Sequence, residues 1–350
     1  MKNNTTNVLT RILLFIFLVS SNTFGQDNQK LAQTGFQFLT VGTSARSAAL
    51  GEAFTTQDGT SIAMFHNPAG LSRMTSSSEV NISQMTWIAD INYYSGAVAL
   101  NLGSYGVFGL SLKYVDYGEF LWTQVDPTSE KGYSDFEGWG MPTSYMAGIS
   151  YAKDLSDKFA VGGTIKYANQ NLGTSYVPID HIVHEGILGI DGKDSIETII
   201  GTQEYIKGVF AFDFGTIYKT GFKSLAFGMS IRNFASEQKY VKESFQLPLV
   251  FRIGISMNVL DFFDSISDVN KFNVSIDAVH PRSFPEYLSI GGEYNFSDLL
   301  YLRLGYITSQ SDYSYSLGAG ITHFGVSFNY AYTPFDTFSD VNRFAVGFAF

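Results

Sequence analysis

No cysteine occurs anywhere in the 350 residues. That absence excludes a disulfide framework, thiol catalysis, a thiolate metal site and a lipid-bearing N-terminal cysteine. Charge is scarce as well: Asp, Glu, Lys and Arg together make up 15% of the chain, where a soluble globule carries about a quarter. Long apolar runs are missing too. After residue 20 no stretch approaches the roughly twenty apolar residues a membrane helix needs, so a helical membrane protein is excluded. The formal net charge of −10 comes with no basic stripe, and no nucleic-acid partner is expected.

What is present is aromatic and small. Phe, Tyr and Trp reach 16%, there are 34 glycines, and the mean hydropathy is only +0.04. Low charge with neutral hydropathy fits a transmembrane β-barrel, where apolar and polar residues alternate and cancel in any windowed average. The N-terminus begins with Lys2 and Arg11, then an unbroken apolar run from Ile12 to Val19, then small and polar residues to Thr23-Phe24-Gly25. A run of about eight apolar residues is too short to cross a bilayer and reads as a cleaved export signal over residues 1–25.

Residues 26–76 do not alternate. They hold Gly35, Gly42, Gly51, Gly59 and Gly70, with a small-residue stretch from Ser44 to Ala49 of helical character. Beyond this segment alternation takes over to the last residue. Phe324, Val326, Phe328, Tyr330 and Tyr332 share one face and Gly325, Ser327, Asn329 and Ala331 the other. The same holds for Tyr313, Tyr315, Leu317, Ala319 and Ile321, and for Phe344, Val346, Phe348 and Phe350. Successive side chains of a strand point to opposite faces, so each segment has one greasy face.

Strands are expected near 79–88, 91–102, 105–117, 143–153, 158–170, 205–219, 222–234, 247–259, 270–281, 284–296, 298–309, 311–321, 324–333 and 339–350. That makes an all-β antiparallel barrel of about fourteen strands over residues 77–350, each long enough for a tilted span. Loop lengths separate this from a soluble sandwich. The long connections at 118–142, 171–204 and 235–246 all fall at one end, and the short ones, such as Gly103-Ser104, Leu155 to Asp157, Thr220-Gly221 and Ser297, at the other, where only 261–269 is of moderate length. Long loops outside and short turns inside are the asymmetry of outer-membrane barrels, with both termini in the periplasm.

Strand parity sends Lys113, Lys166, Asp213, Arg232, Arg252, Asp277, Glu293, Arg303 and Arg343 into the lumen, because a charge in lipid costs about 2–4 kcal/mol at mid-depth. Buried charges find partners, so ion pairs with one another and with Arg46 and Glu52 are expected. The other reading is a polar channel or a contact for a substrate carboxylate. The remaining lumen-facing residues are mostly Gly, Ser and Asn, which tilts against a greasy tunnel.

Chemistry-bearing motifs are weak. His181, His184 and Glu185, beside Asp180, have helical chelating spacing, but no distant third ligand accompanies them and no metal or cofactor is expected. His280, near an outer strand end beside Pro281, and His323, at a turn, come without a Gly-x-Ser-x-Gly elbow, so no catalytic residues and no enzyme are expected. Phe120, Trp122, Tyr133, Phe136 and Trp139 form an aromatic set in the first long loop, a candidate partner-binding surface.

The stretches Gly35-Phe36-Gln37-Phe38-Leu39, Ala45-Arg46-Ser47-Ala48-Ala49-Leu50-Gly51-Glu52-Ala53 and Asn67-Pro68-Ala69-Gly70-Leu71 resemble the PorV/PorQ family. Those are outer-membrane barrels of Bacteroidota, related in fold to the FadL long-chain fatty-acid channels. The resemblance implies a fourteen-stranded barrel whose N-terminal segment enters the lumen as a plug, with Arg46, Gly51, Asn67, Pro68 and Gly70 as its motif. It also implies an accessory role in type IX protein secretion, with secretion subunits or exported proteins as partners. Asn67-Pro68 reads as a turn that hands the plug to the first strand, since Pro fixes φ and Asn bonds its own backbone. The alternative is a FadL-like channel for a hydrophobic small molecule. Such channels need an opening in the wall, for which the Gly162-Gly163 and Gly291-Gly292 pairs are candidates, although Gly in a strand also marks a bulge or a close backbone contact.

Intact-mass measurement of the protein from outer membranes is expected to give a chain starting at Gln26; retention of Met1 would remove the export reading.

Overall fold

A computed structural model describes residues 34–125, 129–188, 194–240, 242–263, 270–309 and 313–350. The export segment lies outside the described residues. Fourteen strands form one closed barrel: β1 (Ser78–Thr86), β2 (Asn92–Asn101), β3 (Val107–Asp116), β4 (Thr143–Asp154), β5 (Phe159–Leu188), β6 (Asp194–Lys219), β7 (Ala226–Phe234), β8 (Val250–Asn258), β9 (Asn270–Pro281), β10 (Tyr287–Phe296), β11 (Leu300–Ile307), β12 (Tyr315–His323), β13 (Val326–Thr333) and β14 (Val341–Ala349). Each pairs antiparallel with its neighbours, and β14 returns to β1 with Glu79 opposite Ala349 and Thr86 opposite Asn342. Closure leaves no strand edge, which hydrocarbon would not tolerate.

Alternation carries through the wall. On β3 every second residue is buried, and Phe108, Leu110, Leu112 and Tyr114 between them are exposed. Exposed residues around the barrel are Leu, Ile, Phe and Tyr, the belt that faces lipid; the buried ones are largely Ser, Gly, Ala and charge. Phe350 extends this register past β14, its carbonyl accepting from the amides of Ser77 and Ser78.

Connections at one end of the barrel are short except 259–269, and the long ones lie at the other end beside short ones such as 87–91 and 282–286. The turn end holds 102–106, 155–158, 220–225, 297–299 and 324–325. The loop end holds a separate hairpin, Phe120–Val125 with Tyr133–Gly140, and the 235–249 connection. One expectation fails here. Residues 171–188 and 194–204 do not form a loop: β5 and β6 run on to Leu188 and Asp194, paired with register shifts after Asn171, Pro178 and His184. Polar residues such as Asn171 and Thr174 break the membrane pattern, yet their backbone ladder continues, and pairing does not require lipid.

Leu110→Arg, with Leu110→Ala as control, is expected to destabilise the barrel by about 2–4 kcal/mol in urea unfolding from lipid vesicles. A neutral result would mean that this face does not meet hydrocarbon.

Candidate functional site

Residues 34–77 pack against the inner face of the wall. The segment starts at the loop end, where Thr34 bridges to Gln246 and the Gly35 amide donates to the Gln246 carbonyl at 3.1 Å. It then descends to the turn end and joins β1. Its one α-helix, α1 (Ala45–Ala49), is capped by Ser44, whose side chain accepts from the Ser47 amide. Ala45, Ala48 and Ala49 are fully or almost fully buried against Ala331 and Ala345 of the wall, because only small residues allow a helix to lie this close to a sheet.

Glycines face the same constraint. A Cβ on Gly162 would lie 2.5 Å from the Pro68 carbonyl carbon, and one on Gly291 would lie 2.7 Å from the Leu50 carbonyl oxygen. These two glycines mark close contact with the inner segment, and the ladders through them continue in register. Gly51 takes φ +59 with its Cα against the Tyr306 backbone, and a side chain on Gly70 would strike the Gln57 carbonyl. Asn67 Oδ1 accepts from the Ala69 amide at 3.1 Å, the expected turn, while its Nδ2 donates to the carbonyls of Thr55 and Thr216. Asn67 thus pins the segment to β6, and the hand-off to β1 comes later, around Arg73 to Ser77.

All nine parity-assigned charges are buried, none more than 7% exposed. Arg46 forks onto Glu293 with bonds of 2.8 and 2.9 Å, and Arg303 Nε donates to the same carboxylate at 2.6 Å. Asp277 Oδ2 accepts from the amides of Phe54 and Thr55 and from the Thr55 hydroxyl, with Arg252 at 3.8 Å. Lys166 donates to Asp213 at 2.7 Å and to Asn233 at 2.6 Å, beside a bulge where Arg232 and Asn233 together oppose Asp213. The rest are held by main-chain carbonyls of the segment: Lys113 by Val41, Arg232 by Phe65, Arg252 by Glu52 and Arg343 by Gly42. The bonds of Lys113, Arg232, Arg252, Asp277, Glu293 and Arg343 cross between wall and segment and so position the chain in the lumen, whereas Lys166–Asp213 and Arg303–Glu293 tie wall strand to wall strand.

Toward the loop end the lumen is apolar. Phe36, Phe38 and Leu39 pack on Met85, Tyr93, Val115, Met146, Val209, Leu247, Phe335 and Val341. Phe36 sits at φ 56, a left-handed conformation that a bulky residue holds only under constraint. The list of polar lumen residues missed this chamber because its walls come from the last inward positions of many strands. Tyr313 departs from parity: it precedes β12 and turns inward onto Phe335, ring centroids 4.6 Å apart. Outside the wall, an apolar depression of about 820 Å³ crosses β3 to β6, floored by Ala147 and Gly163 and walled by Tyr151, Ile165, Phe210 and Phe212.

The remaining candidates do not converge. Phe120 and Tyr133 are exposed on the loop-end hairpin; the side chains of Trp122, Phe136 and Trp139, and those of Asp180, His181, His184 and Glu185, lie outside the described residues. Among the described residues no group of three His, Asp or Glu is placed to hold a metal ion. His280 pairs with exposed Glu286 at 2.8 Å, and hydrogen bonding, first to its own backbone and then to that imidazole, holds the Glu286 carboxyl below its ordinary range. His323 stacks on Phe324.

Neither a family model nor a curated protein matches this chain. Solved structures do. The CymD monoaromatic hydrocarbon channel aligns with TM-score 0.55 and 12% identity, over 89% of this chain and 98% of that one. The Pseudomonas putida toluene transporter TodX aligns at 0.56 and 12%, over 87% and 96%. A FadL homologue of Pseudomonas aeruginosa aligns at 0.51 and 11%, over 87% and 97%. The fold is that of the FadL-type barrels.

Glu293→Gln strands buried Arg303 and half-buried Arg46 of this FadL-type barrel, and removing one partner of a buried pair costs about 3–5 kcal/mol. Urea unfolding in vesicles is expected to show a loss of that size; a shift below about 1 kcal/mol, the worth of a surface pair, would mean that the network is solvated.

Proposed function

We propose that this chain is an outer-membrane channel for small apolar or amphiphilic molecules, with its termini in the periplasm and its N-terminal segment as a plug. The observation that carries the reading is the packed apolar cluster inside the loop end of the lumen. A porin for polar solutes has a polar lumen; here Phe36, Phe38 and Leu39 fill a pocket of aromatic and aliphatic wall residues. These three side chains stand where an apolar guest would be held, and the segment must yield for anything to pass. The FadL-type fold supports the reading, since its solved examples include hydrocarbon and toluene channels. So does the outer depression beside the β6–β7 bulge, an apolar surface next to the one irregularity recorded in the ladder between those strands.

A second reading, a non-enzymatic accessory of type IX secretion, is favoured by exposed Phe120, Leu121 and Tyr133 on a hairpin beyond the wall. Secreted proteins or neighbouring subunits would be its partners, as the PorV/PorQ resemblance implies.

Proteoliposomes discriminate between them. Toluene uptake is expected in wild type and is expected to rise several-fold in Phe36→Ala/Phe38→Ala, which empties the chamber. No uptake by either protein, with secretion proteins co-purifying through the hairpin, would replace the channel by the accessory role.

A further inference from the structure

Below the apolar cluster lies a cavity of about 120 Å³ between the inner segment and strands β8, β10, β11, β12, β13 and β14. Arg252 and Arg343, 5% and 4% exposed, enter it from the wall, and Glu52 enters from the segment. Trp87, Tyr287 and Tyr313 supply aromatic surface. Arg343 lies over the Trp87 ring at 5.4 Å, and Trp87 meets Phe335 of the chamber edge-on at 5.3 Å. The cavity is therefore continuous in its lining with the chamber.

Its charges do not close. The cations in the loop half of the lumen are Lys113, Lys166, Arg232, Arg252 and Arg343; the carboxylates are Asp213, Asp277 and Glu52. Five positive groups face three negative ones, inside a chain whose net charge is −10. Glu52 is shared among them: its carboxylate lines the cavity with both arginines and lies 3.7 Å from His66 Nδ1, but among the described residues it comes within ion-pair distance of neither arginine. Arg252 Nε is buried without a partner, and the half-buried Tyr287 and Tyr313 show no hydroxyl hydrogen bond among the described residues. Leaving a buried guanidinium nitrogen unmatched is costly unless something supplies an acceptor. In the turn half the balance holds, with Arg46 and Arg303 against Glu293 and Glu79.

We propose that this cavity binds a small aromatic carboxylate, of the benzoate class, with its carboxylate between Arg252 and Arg343 and its ring on Trp87 and Tyr313. The volume suits one ring and excludes a long acyl chain. A hydrocarbon without a charge would leave the arginines as they are. Arg presents a planar fork that matches a carboxylate, and aromatic surface beside it selects a flat apolar body. The inference rests on the channel reading, narrowing its guests to one class.

The test is equilibrium dialysis of the detergent-purified full chain with labelled benzoate, against acetate, palmitate and toluene. Benzoate is expected to bind saturably, at least tenfold tighter than acetate, and to be displaced by excess unlabelled benzoate but not by palmitate. Arg252→Gln and Arg343→Gln are expected to weaken it at least tenfold. Tyr313→Phe and Tyr287→Phe are expected to weaken it several-fold with the fold intact, since neither hydroxyl has a partner to lose among the described residues; heat-modifiable migration checks folding. No saturable benzoate binding by folded wild type, or equal binding by the folded tyrosine variants and whichever arginine variants fold, overturns the proposal. Vesicle uptake of toluene reads the channel separately. Uptake without benzoate binding overturns the site alone, and benzoate binding without uptake upholds the site while the channel reading falls.

Discussion

Hydrocarbon offers no hydrogen bonds, so the wall must satisfy every amide and carbonyl by pairing strand to strand until the first meets the last. The β1–β14 contact completes that ring. Once the ring is closed, each strand has a lipid side and a lumen side, and charge has only one place to go. The nine buried charges of the wall follow from this constraint, and so does the need for partners inside. A barrel of this circumference has room for them only if something enters the lumen.

The segment over residues 34–77 supplies those partners in the form a short chain can. It contributes Arg46 to Glu293 and offers main-chain carbonyls at Val41, Gly42, Glu52 and Phe65 to four wall cations. Its amides at Phe54 and Thr55 cap Asp277. Small residues are the price of such closeness: Ala45, Ala48 and Ala49 on one side, Gly162 and Gly291 of the wall on the other. The result is a lumen with two characters, polar and locked toward the turn end, aromatic and less charge-balanced toward the loop end. That division puts the part able to accept a guest where the segment is held by packing and a few backbone bonds.

Much of this was legible in the chain. Alternation specifies the strand count because the side-chain period of two is local and survives any tertiary context. Parity assigned Lys113, Glu293 and Arg343 to the interior for the same reason, and the position of the long connections marked the loop end. The small, glycine-rich composition of the first segment pointed to close packing. Where the reading failed, the cause was physical. Residues 171–188 and 194–204 lack the greasy face of a membrane strand, yet their backbones pair all the same, because a strand ladder does not need apolar alternation. Tyr313 fell on the wrong side because parity holds only within a strand, and β12 starts two residues later.

The sequence by itself determined the barrel, its orientation of faces and which charges turn inward, since each depends on near neighbours along one strand. Only the tertiary structure decided which charge meets which, that Asn67 ties the segment to β6, and that Phe36 and Phe38 fill the chamber. These are contacts between residues far apart in the chain, and no local period encodes them. The excess of cations around the 120 Å³ cavity belongs to the same class. It becomes visible only when strands β8, β10 and β14 and the inner segment bring Arg252, Tyr287, Arg343 and Glu52 to one place, because charge balance is a property of a volume and not of a stretch of chain.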